Sequence, residues 1–271
     1  MATIIQKHIV NSILLAGMIW MVVGCQKTTT APPVSGAAAL TVVDAIPNTG
    51  LVIPVLNSSS AVVYFGNAMN IGYGGFNEYS TIVGNDTAYV VQDNGDTLNF
   101  GPKGTNLLFD EILSLKAGGI YSLLLCGADT TSTDYLFTTD SLPYHGPTDS
   151  LLGIRFVNLS AGSNPISINL EGSSNGSVIS RLPYKSITAF NSYLCNSATQ
   201  DYFFVIRDAT TGDSLTQFDF LLSGSTNNGY GLTDPNTGNL LTFKNVTIAI
   251  YGSETNANFP LSTLFIEDFF Y

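Results

Sequence analysis

Residues alternate with a period of two on both sides of a turn-rich segment in the second half of the chain. Ile154 and Phe156 are apolar at every second position, and Ile166–Leu170 resumes the alternation after a break at residues 160–165. A period of two residues indicates a β-strand with one buried face, because successive side chains point to opposite sides of a sheet. The pattern therefore predicts two β-strands joined by a turn.

A similar pattern occurs in the first half of the chain, so the sequence indicates two copies of one β-domain. The offset between matching segments ranges from 111 to 128 residues, which fits loop insertions of different length between shared strands. The matching pairs are Leu40–Val43 with Ile154–Val157, Ile71–Tyr73 with Leu182–Tyr184, Tyr89–Asp93 with Phe204–Asp208, Ile120–Gly127 with Asn245–Gly252, and Tyr135–Phe137 with Thr263–Phe265.

The number and spacing of these strand patterns predict the fold class. Each copy has seven or more short strand patterns, and no segment after residue 25 keeps a 3.6-residue apolar period. We therefore predict an all-β protein of two tandem immunoglobulin-like β-sandwich domains, at residues 38–142 and 151–271, with a linker at residues 143–150. The Asn-Gly pair within Asp93–Asp96 predicts a hairpin turn between Val91 and Leu98.

The first 24 residues have the layout of a leader sequence. Lys7 supplies positive charge, an apolar run follows from Ile9 to Val23, and Cys25 comes directly after Gly24. This order resembles a bacterial lipoprotein signal, in which the cysteine is acylated and becomes the first residue of the mature protein. We predict a lipoprotein signal peptide at residues 1–24, lipidation of Cys25 and a tether at residues 25–37. An ordinary signal peptide and an uncleaved anchor are the alternatives.

A lipid on Cys25 would hold the protein on a membrane through several acyl chains. Gln26 follows this cysteine, so the aspartate that would argue for inner-membrane retention is not there. We therefore expect a lipid-anchored protein of the outer membrane, on its periplasmic face or at the cell surface.

Composition narrows the classes of partner. The chain has 271 residues, of which 45% are hydrophobic and only 11% charged, and its net charge is −11. Such a chain can bury a core but must cover much of its surface with Ser, Thr and Asn. The negative charge argues against binding nucleic acid, because that affinity depends on Lys and Arg at the phosphates.

No group of residues predicts catalysis or a cofactor. A hydrolase needs a nucleophile with a base or paired carboxylates in a cleft, and the only histidine after Cys25 is His145, in the linker. We expect His145 to be solvated. Cys126 and Cys195 are expected to be buried free thiols, with a disulfide between them as the alternative in an oxidising compartment.

The acidic turns make calcium binding an alternative to a protein that binds no metal. Asp93, Asn94 and Asp96 could bind a hard cation through oxygen atoms, and Asp208 and Asp213 flank the equivalent turn. Asp and Asn are also the usual residues of hairpin turns, so we predict no bound metal.

Exposed aromatic residues could form a platform for a glycan, because sugar faces stack on aromatic rings. The alternative is that these rings belong to the core, as strand aromatics usually do. The candidates are Tyr64, Tyr73, Phe76 and Tyr79 in the first copy, with Tyr184 and Tyr193 in the second.

Six Asp-Ser or Asp-Thr pairs resemble the O-glycosylation motif of Bacteroidota envelope proteins. They predict that part of the Ser/Thr-rich surface carries glycan. The predicted acceptors are Thr87, Thr97, Thr130, Ser141, Ser150 and Ser214.

Several segments resemble one known family. Leu152–Ser160, with the sequence Leu-Gly-Ile-Arg-Phe-Val-Asn-Leu-Ser, is followed by Ile166–Gly172 and Leu182–Tyr184, and together they resemble the repeat of the family called domain of unknown function 4397. Ala39–Asn48 and Tyr73–Phe76 resemble the first repeat of that family in Bacteroidota lipoproteins. The resemblance implies lipid-anchored, envelope-facing sandwich domains, and it implies no catalytic residues and no agreed ligand.

These patterns together predict a non-enzymatic, lipid-anchored protein of the cell envelope. We expect it to bind a glycan or a protein ligand through the loops of its sandwiches, and to contact the membrane through its N-terminal lipid. The alternative is a structural spacer, or a subunit of an envelope assembly, that has no ligand of its own.

Overall fold

The chain is described here by a computed structural model at residues 36–56, 70–93, 107–145, 151–195, 201–221, 229–231 and 245–268. Every helix or strand in these residues is a β-strand, as the two-residue alternation predicts. No helix in these ranges is long and apolar enough to cross a membrane. The described strands and their sheets confirm the predicted all-β sandwich fold.

The strands fall into two successive sets, which we call the first and second sandwich. The described strands of the first sandwich are β1 (Ala37–Asp44), β2 (Leu51–Val55), β3 (Ile71–Gly72), β4 (Gly75–Ile82), β5 (Gly84–Gln92), β6 (Leu107–Leu115), β7 (Ile120–Asp129) and β8 (Ser132–Thr139). Those of the second are β9 (Leu151–Asn158), β10 (Ile166–Leu170), β11 (Ile179–Leu182), β12 (Ser186–Ile187), β13 (Asn191–Leu194), β14 (Tyr202–Asp208), β15 (Ser214–Leu221), β16 (Gly229–Gly231), β17 (Asn245–Tyr251) and β18 (Ser262–Glu267).

Both sandwiches have the same sheet topology. The inner sheets have the orders β4-β1-β7-β8 and β12-β9-β17-β18, and β13 also pairs with β9. The outer sheets have the orders β3-β2-β5-β6 and β11-β10-β14-β15, extended in the second sandwich by β16. In each inner sheet the first strand of the copy pairs in parallel with the strand that comes after the last outer-sheet strand in sequence. These pairs are β1 with β7 and β9 with β17. The tandem repeat is therefore present in the strand order itself.

Strand register supports the repeat residue by residue. Leu40 pairs with Tyr121 in the first sandwich, and Ile154 pairs with Val246 in the second. These partners are the ones that the predicted offsets of the two segments require.

One predicted match is wrong by one residue. Val52 pairs with Gln92, whereas Ile166, which occupies the same place in its sandwich, pairs with Asp208. Gln92 rather than Asp93 is therefore the equivalent of Asp208. Because side chains alternate along a strand, a shift of one residue exchanges the inward and outward faces.

The strand that precedes the predicted hairpin turn is paired along both of its edges. Val91 pairs with Leu107 on β6 on one side and with Ile53 on β2 on the other. Both edges of β5 are thus occupied by other strands. The turn residues 94–96 themselves lie outside the described residues.

Each sandwich encloses an apolar core between its two sheets. In the first, Leu40, Val42 and Leu123 from the inner sheet meet Val52 and Val90 from the outer sheet. The equivalent inward-facing residues of the second sandwich form a core that contains Phe156, Phe204 and Phe220. Fully burying a side chain of this size stabilises the fold by about 1.5–3 kcal/mol.

The two inner sheets also pack on each other, so that they are buried on both faces. A third apolar cluster joins Val43 and Leu124 of the first sandwich to Val157 and Ala249 of the second. Val43 and Val157 are equivalent residues of the repeat, as are Leu124 and Ala249. The sandwiches therefore meet through the same face of each copy.

Residues 36–271 form one compact unit because of this packing. The described part of the predicted linker takes part in it, since Pro143 accepts a hydrogen bond from Asn245 at 2.9 Å. The predicted boundaries between the two domains stay predictions.

Candidate functional site

The outer sheet of the second sandwich has a polar outer face. Strand alternation sends Ile168 and Ile206 into the core and turns Asn169 and Arg207 the other way. On β15, Gln217 pairs with Val205 and lies on this face as well. These positions build a row of amide and guanidinium groups across three neighbouring strands.

A shallow depression of about 210 Å³ lies on this face. It is bounded by β10, β14, β15 and the turn that follows β10. Its lining residues are Asn169, Leu170, Glu171, Gly172, Ser173, Val205, Arg207, Ser214 and Gln217.

Hydrogen bonds hold the floor of this depression in place. Asn169 is only 2% exposed, and its amide nitrogen donates to the backbone carbonyl of Val205 at 3.0 Å. Its amide oxygen accepts from the backbone N–H of Gly176. The Asn169 side chain is therefore a fixed structural group.

Arg207 keeps hydrogen-bonding capacity for a ligand. Its Nη1 donates to the backbone carbonyl of Gly212 at 3.2 Å, and the described residues offer the guanidinium no other hydrogen bond. A guanidinium carries five N–H donors. Gln217 donates through Nε2 to Asp219 at 2.5 Å, which leaves its amide oxygen as an acceptor. The depression thus presents donors and acceptors side by side.

The predicted aromatic residues that the structure describes lie in different packing clusters. Tyr64 lies outside the described residues. Tyr79 packs against the core of the first sandwich and Tyr193 against that of the second. Phe76 and Tyr184 pack against the cluster between the sandwiches.

Tyr73 also lies between the two sandwiches. Its ring makes edge-on contacts with Tyr251 and Phe259, with centroids 5.2 and 5.1 Å apart. Burial is the main cause that raises the pKa of the Tyr73 hydroxyl to about 12, and this hydroxyl has no hydrogen-bond partner among the described residues. The described candidate rings thus contribute to packing, and ligand binding by them stays a prediction.

The acidic turn of the second sandwich is satisfied by its own loop. Asp208 accepts backbone N–H groups of Thr210 and Thr211 at 2.6 and 3.1 Å and the side-chain amide of Asn164 at 2.8 Å. The amide of Asn164 is the main cause that lowers the pKa of Asp208. The described residues contain no group of three His, Cys, Asp or Glu side chains placed to hold a metal ion.

His145 is buried, so the expectation of a solvated histidine is wrong. Its Nε2 lies 3.2 Å from Oδ1 of Asn245, on the inner sheet of the second sandwich.

Cys126 and Cys195 are free thiols in separate clusters. Cys126 lies between the sandwiches, where Tyr184 donates to its Sγ at 3.2 Å. Cys195 lies in the core of the second sandwich. Burial raises the pKa of each thiol to about 11.

The predicted O-glycosylation sites differ in accessibility. Ser141 and Ser214 are exposed, whereas Thr87 and Thr130 are half-buried. Thr97 and Ser150, like the predicted lipidation site Cys25, lie outside the described residues.

Sequence reasoning missed two arginines that the fold places at polar sites. Arg207 lines the depression, and Arg155 lies buried between the sandwiches. Each stands inside a predicted strand, in a chain that has only nine Lys and Arg residues. That rarity is the signal that could have drawn attention to both.

No protein-family model and no curated protein matches this chain. Among solved structures, it aligns with a family 26 carbohydrate-binding module from Eubacterium rectale Amy13K in complex with maltoheptaose, at 9% identity and a TM-score of 0.22, over 86% of this chain and 97% of the module. It also aligns with a candidate cell adhesion protein from Bacteroides eggerthii, at 10% identity and a TM-score of 0.23, over 87% of this chain and 96% of that protein. At these scores neither similarity carries an argument about this protein.

Proposed function

We propose that this protein is a non-enzymatic, lipid-anchored envelope protein that binds a glycan on the outer face of its second sandwich. The observation that carries the proposal is the polar depression bounded by β10, β14 and β15. The anchor is the acylated Cys25 predicted by the lipoprotein signal, and the outer membrane is its proposed location.

The chemistry of the depression suits a polyhydroxylated ligand. Sugar hydroxyls both donate and accept hydrogen bonds, and Arg207, Gln217 and Glu171 offer donors and acceptors within one lining. A volume of about 210 Å³ lies below the roughly 300–1,000 Å³ of pockets that enclose drug-sized ligands. The site therefore fits a short part of a saccharide chain that continues over the open sheet.

A glycan array followed by calorimetry tests this proposal. The full-length protein is probed with neutral gluco-, manno- and xylo-oligosaccharides, and any retained glycan is titrated into Arg207→Ala and Gln217→Ala variants. Losing one hydrogen bond to a charged donor costs about 1.5–3 kcal/mol, so we expect Arg207→Ala to weaken binding by roughly ten- to a hundredfold.

Arg181→Ala is the matched control, because it removes the same charge from an exposed residue outside the depression. The control should bind as the unmodified protein does. Equal affinity of the Arg207→Ala and Arg181→Ala variants, or retention of no glycan at all, would exclude this site.

One observation favours a structural role as the second candidate. β6 is the terminal strand of the outer sheet of the first sandwich among the described strands, and Ile112 on it is 67% exposed. A free sheet edge can accept a strand from a partner. If β6 joins an envelope assembly, Ile112→Lys should release the protein from a high-mass species on native gels, and Glu111→Gln on the same strand should not.

A further inference from the structure

A single guanidinium joins two carboxylates at the junction of the sandwiches. Nη1 of Arg155 lies 2.7 Å from Oδ1 of Asp140, and Nη2 lies 3.1 Å from Oδ1 of Asp268. Asp140 directly follows β8 of the first sandwich, and Asp268 directly follows β18 of the second. The arginine therefore connects the two copies of the repeat.

The two carboxylates occupy equivalent positions. The backbone N–H of Asp140 donates to Ile120 at the start of β7, and that of Asp268 donates to Asn245 at the start of β17. Each carboxylate also accepts a hydroxyl from the neighbouring strand, Ser122 at 2.6 Å for Asp140 and Thr247 at 2.8 Å for Asp268.

The cation has no counterpart in the first sandwich. The residue equivalent to Arg155 is Thr41, at the matching position of β1. The junction therefore contains two acidic groups and one basic group that contacts both.

The remaining neighbours of this cluster are neutral. Nε of Arg155 donates to the Thr247 hydroxyl at 2.7 Å, and Phe190 lies under the guanidinium at 4.6 Å from its ring centroid. Thr138 on β8 donates to Asp140 at 2.8 Å. Arg155 from β9 and Asp140 beyond β8 are therefore the charged groups that act on Asp268 among the described residues.

The charges of this cluster do not balance when both carboxylates are ionised. Arg155, Asp140 and Asp268 are 5%, 9% and 3% exposed, so water screens the excess negative charge poorly. Burying an uncompensated charge is costly, and a carboxyl group in that position takes up a proton instead. Burial raises the pKa of Asp268 to about 7, although Arg155 opposes the shift.

We infer that Arg155, Asp140 and Asp268 form a proton-dependent clamp between the two sandwiches. With one proton on the carboxylates the cluster is neutral and the inner sheets stay packed. When that proton leaves, the junction carries a buried negative charge and the sandwiches separate more often. This goes beyond the proposed ligand site, which lies on the opposite sheet of the second sandwich.

The direction of the effect follows from linkage. The pKa of Asp268 is higher in the folded protein than in the unfolded chain, so its contribution to stability is fully present below about pH 3.8 and is lost as the pH rises through about 7. Over that interval, one proton released on unfolding changes the unfolding equilibrium by up to tenfold per pH unit.

Carboxyl carbon NMR of the full-length protein tests the cluster directly. We expect Asp44 to titrate near pH 6 and a second aspartate resonance to titrate near pH 7. The second resonance should vanish in Asp268→Asn and should shift to lower pH by at least one unit in Asp140→Asn, whereas that of Asp44 should stay in place in both variants. The shift distinguishes a shared cation from burial alone, because Arg155 then serves a single carboxylate. Titration of Asp268 at its ordinary value, or no change in Asp140→Asn, would overturn the proposal.

Hydrogen exchange tests the separation of the sandwiches. Between pH 6 and 8.5, protection factors of β1 and β9 amides should fall relative to those of β5 and β14, by roughly tenfold. Asp268→Asn should remove this difference, whereas Glu111→Gln, an exposed charge change on β6, should keep it. Protection that falls equally in all four strands would contradict a clamp at the junction.

Discussion

The two sandwiches share one topology, but the outer face of the first is apolar and that of the second is polar. In the first, Ile53, Val55, Tyr89 and Val91 on the outer sheet form a buried apolar cluster. In the second, Ser167, the equivalent of Ile53, lies beside Asn169 on a polar face that contains the depression. Inward-facing positions are apolar in both copies because each core needs apolar residues. Outward-facing positions differ between the copies, and the candidate binding site lies on them.

The inner sheets differ by single residues at equivalent places. Asp44 in the first sandwich and Asn158 in the second are both fully buried, and each accepts the backbone N–H two residues later at 3.0 Å. An amide performs this role without a charge. These two positions therefore supply matched controls for each other.

The largest effect is expected from Arg155→Ala, compared with Thr41→Ala at the equivalent position. Removing the guanidinium leaves two buried carboxylates without a cation, which costs about 3–5 kcal/mol. Truncating Thr41 should cost about 1 kcal/mol. Urea unfolding at pH 8 measures both. Similar losses in the two variants would mean that the cluster contributes no more than ordinary packing.

The outer faces are distinguished by Ile53→Ala and Ser167→Ala. Ile53 is 1% exposed, and truncating a buried isoleucine costs about 2–5 kcal/mol. Ser167 accepts the amide of Asn169 at 3.3 Å, so its truncation should cost about 1 kcal/mol. Equilibrium unfolding of both variants checks this. A loss of similar size at the two positions would contradict the contrast between the faces.

Asp44→Asn should have a smaller effect than Arg155→Ala or Ile53→Ala, and it should be stabilising. Burial raises the pKa of Asp44 to about 6, despite the hydrogen bonds from Thr49 and Ile46. Its contribution to stability is therefore present below about pH 3.8 and is lost as the pH rises through 6. At pH 8 the amide should increase the free energy of unfolding by up to about 3 kcal/mol, and near pH 3 the gain should disappear.

Asn158→Asp provides the reverse experiment for that pair. The new carboxyl group would take the place of a buried amide whose nitrogen donates to the Leu182 carbonyl at 3.1 Å. We expect destabilisation that grows between pH 4 and 8, measured by thermal unfolding. A gain in stability at pH 8 would show that burial does not control the ionisation of this position.

A segment with clear alternation was predicted to the residue. β10 has the bounds of the alternating segment, Ile166–Leu170. β13 was missed because Asn191–Leu194 has no alternation, and it pairs only with one edge of β9. Local pattern thus predicts strands whose apolar and polar residues alternate, and it fails where pairing alone holds a short segment in place.

The candidate site residues likewise show which features local sequence predicts and which it does not. The aromatic residues were chosen by type, yet the structure packs Tyr73 against Tyr251 and Phe259 from the other sandwich. The continuous apolar run Leu123–Cys126 did indicate that β7 is buried on both faces, because a strand covered on both faces no longer alternates between apolar and polar residues. That run could not show which surface covers its second face.

The sequence by itself determined the fold class, the repeat and most strands, because alternation and turn chemistry act between residues close in the chain. Only the tertiary structure decided that the inner sheets meet face to face, that Asp140 and Asp268 share Arg155, and that Arg207 borders a depression. These contacts join residues that are far apart in sequence. Their energies depend on burial and on distances between charges, which no local pattern specifies.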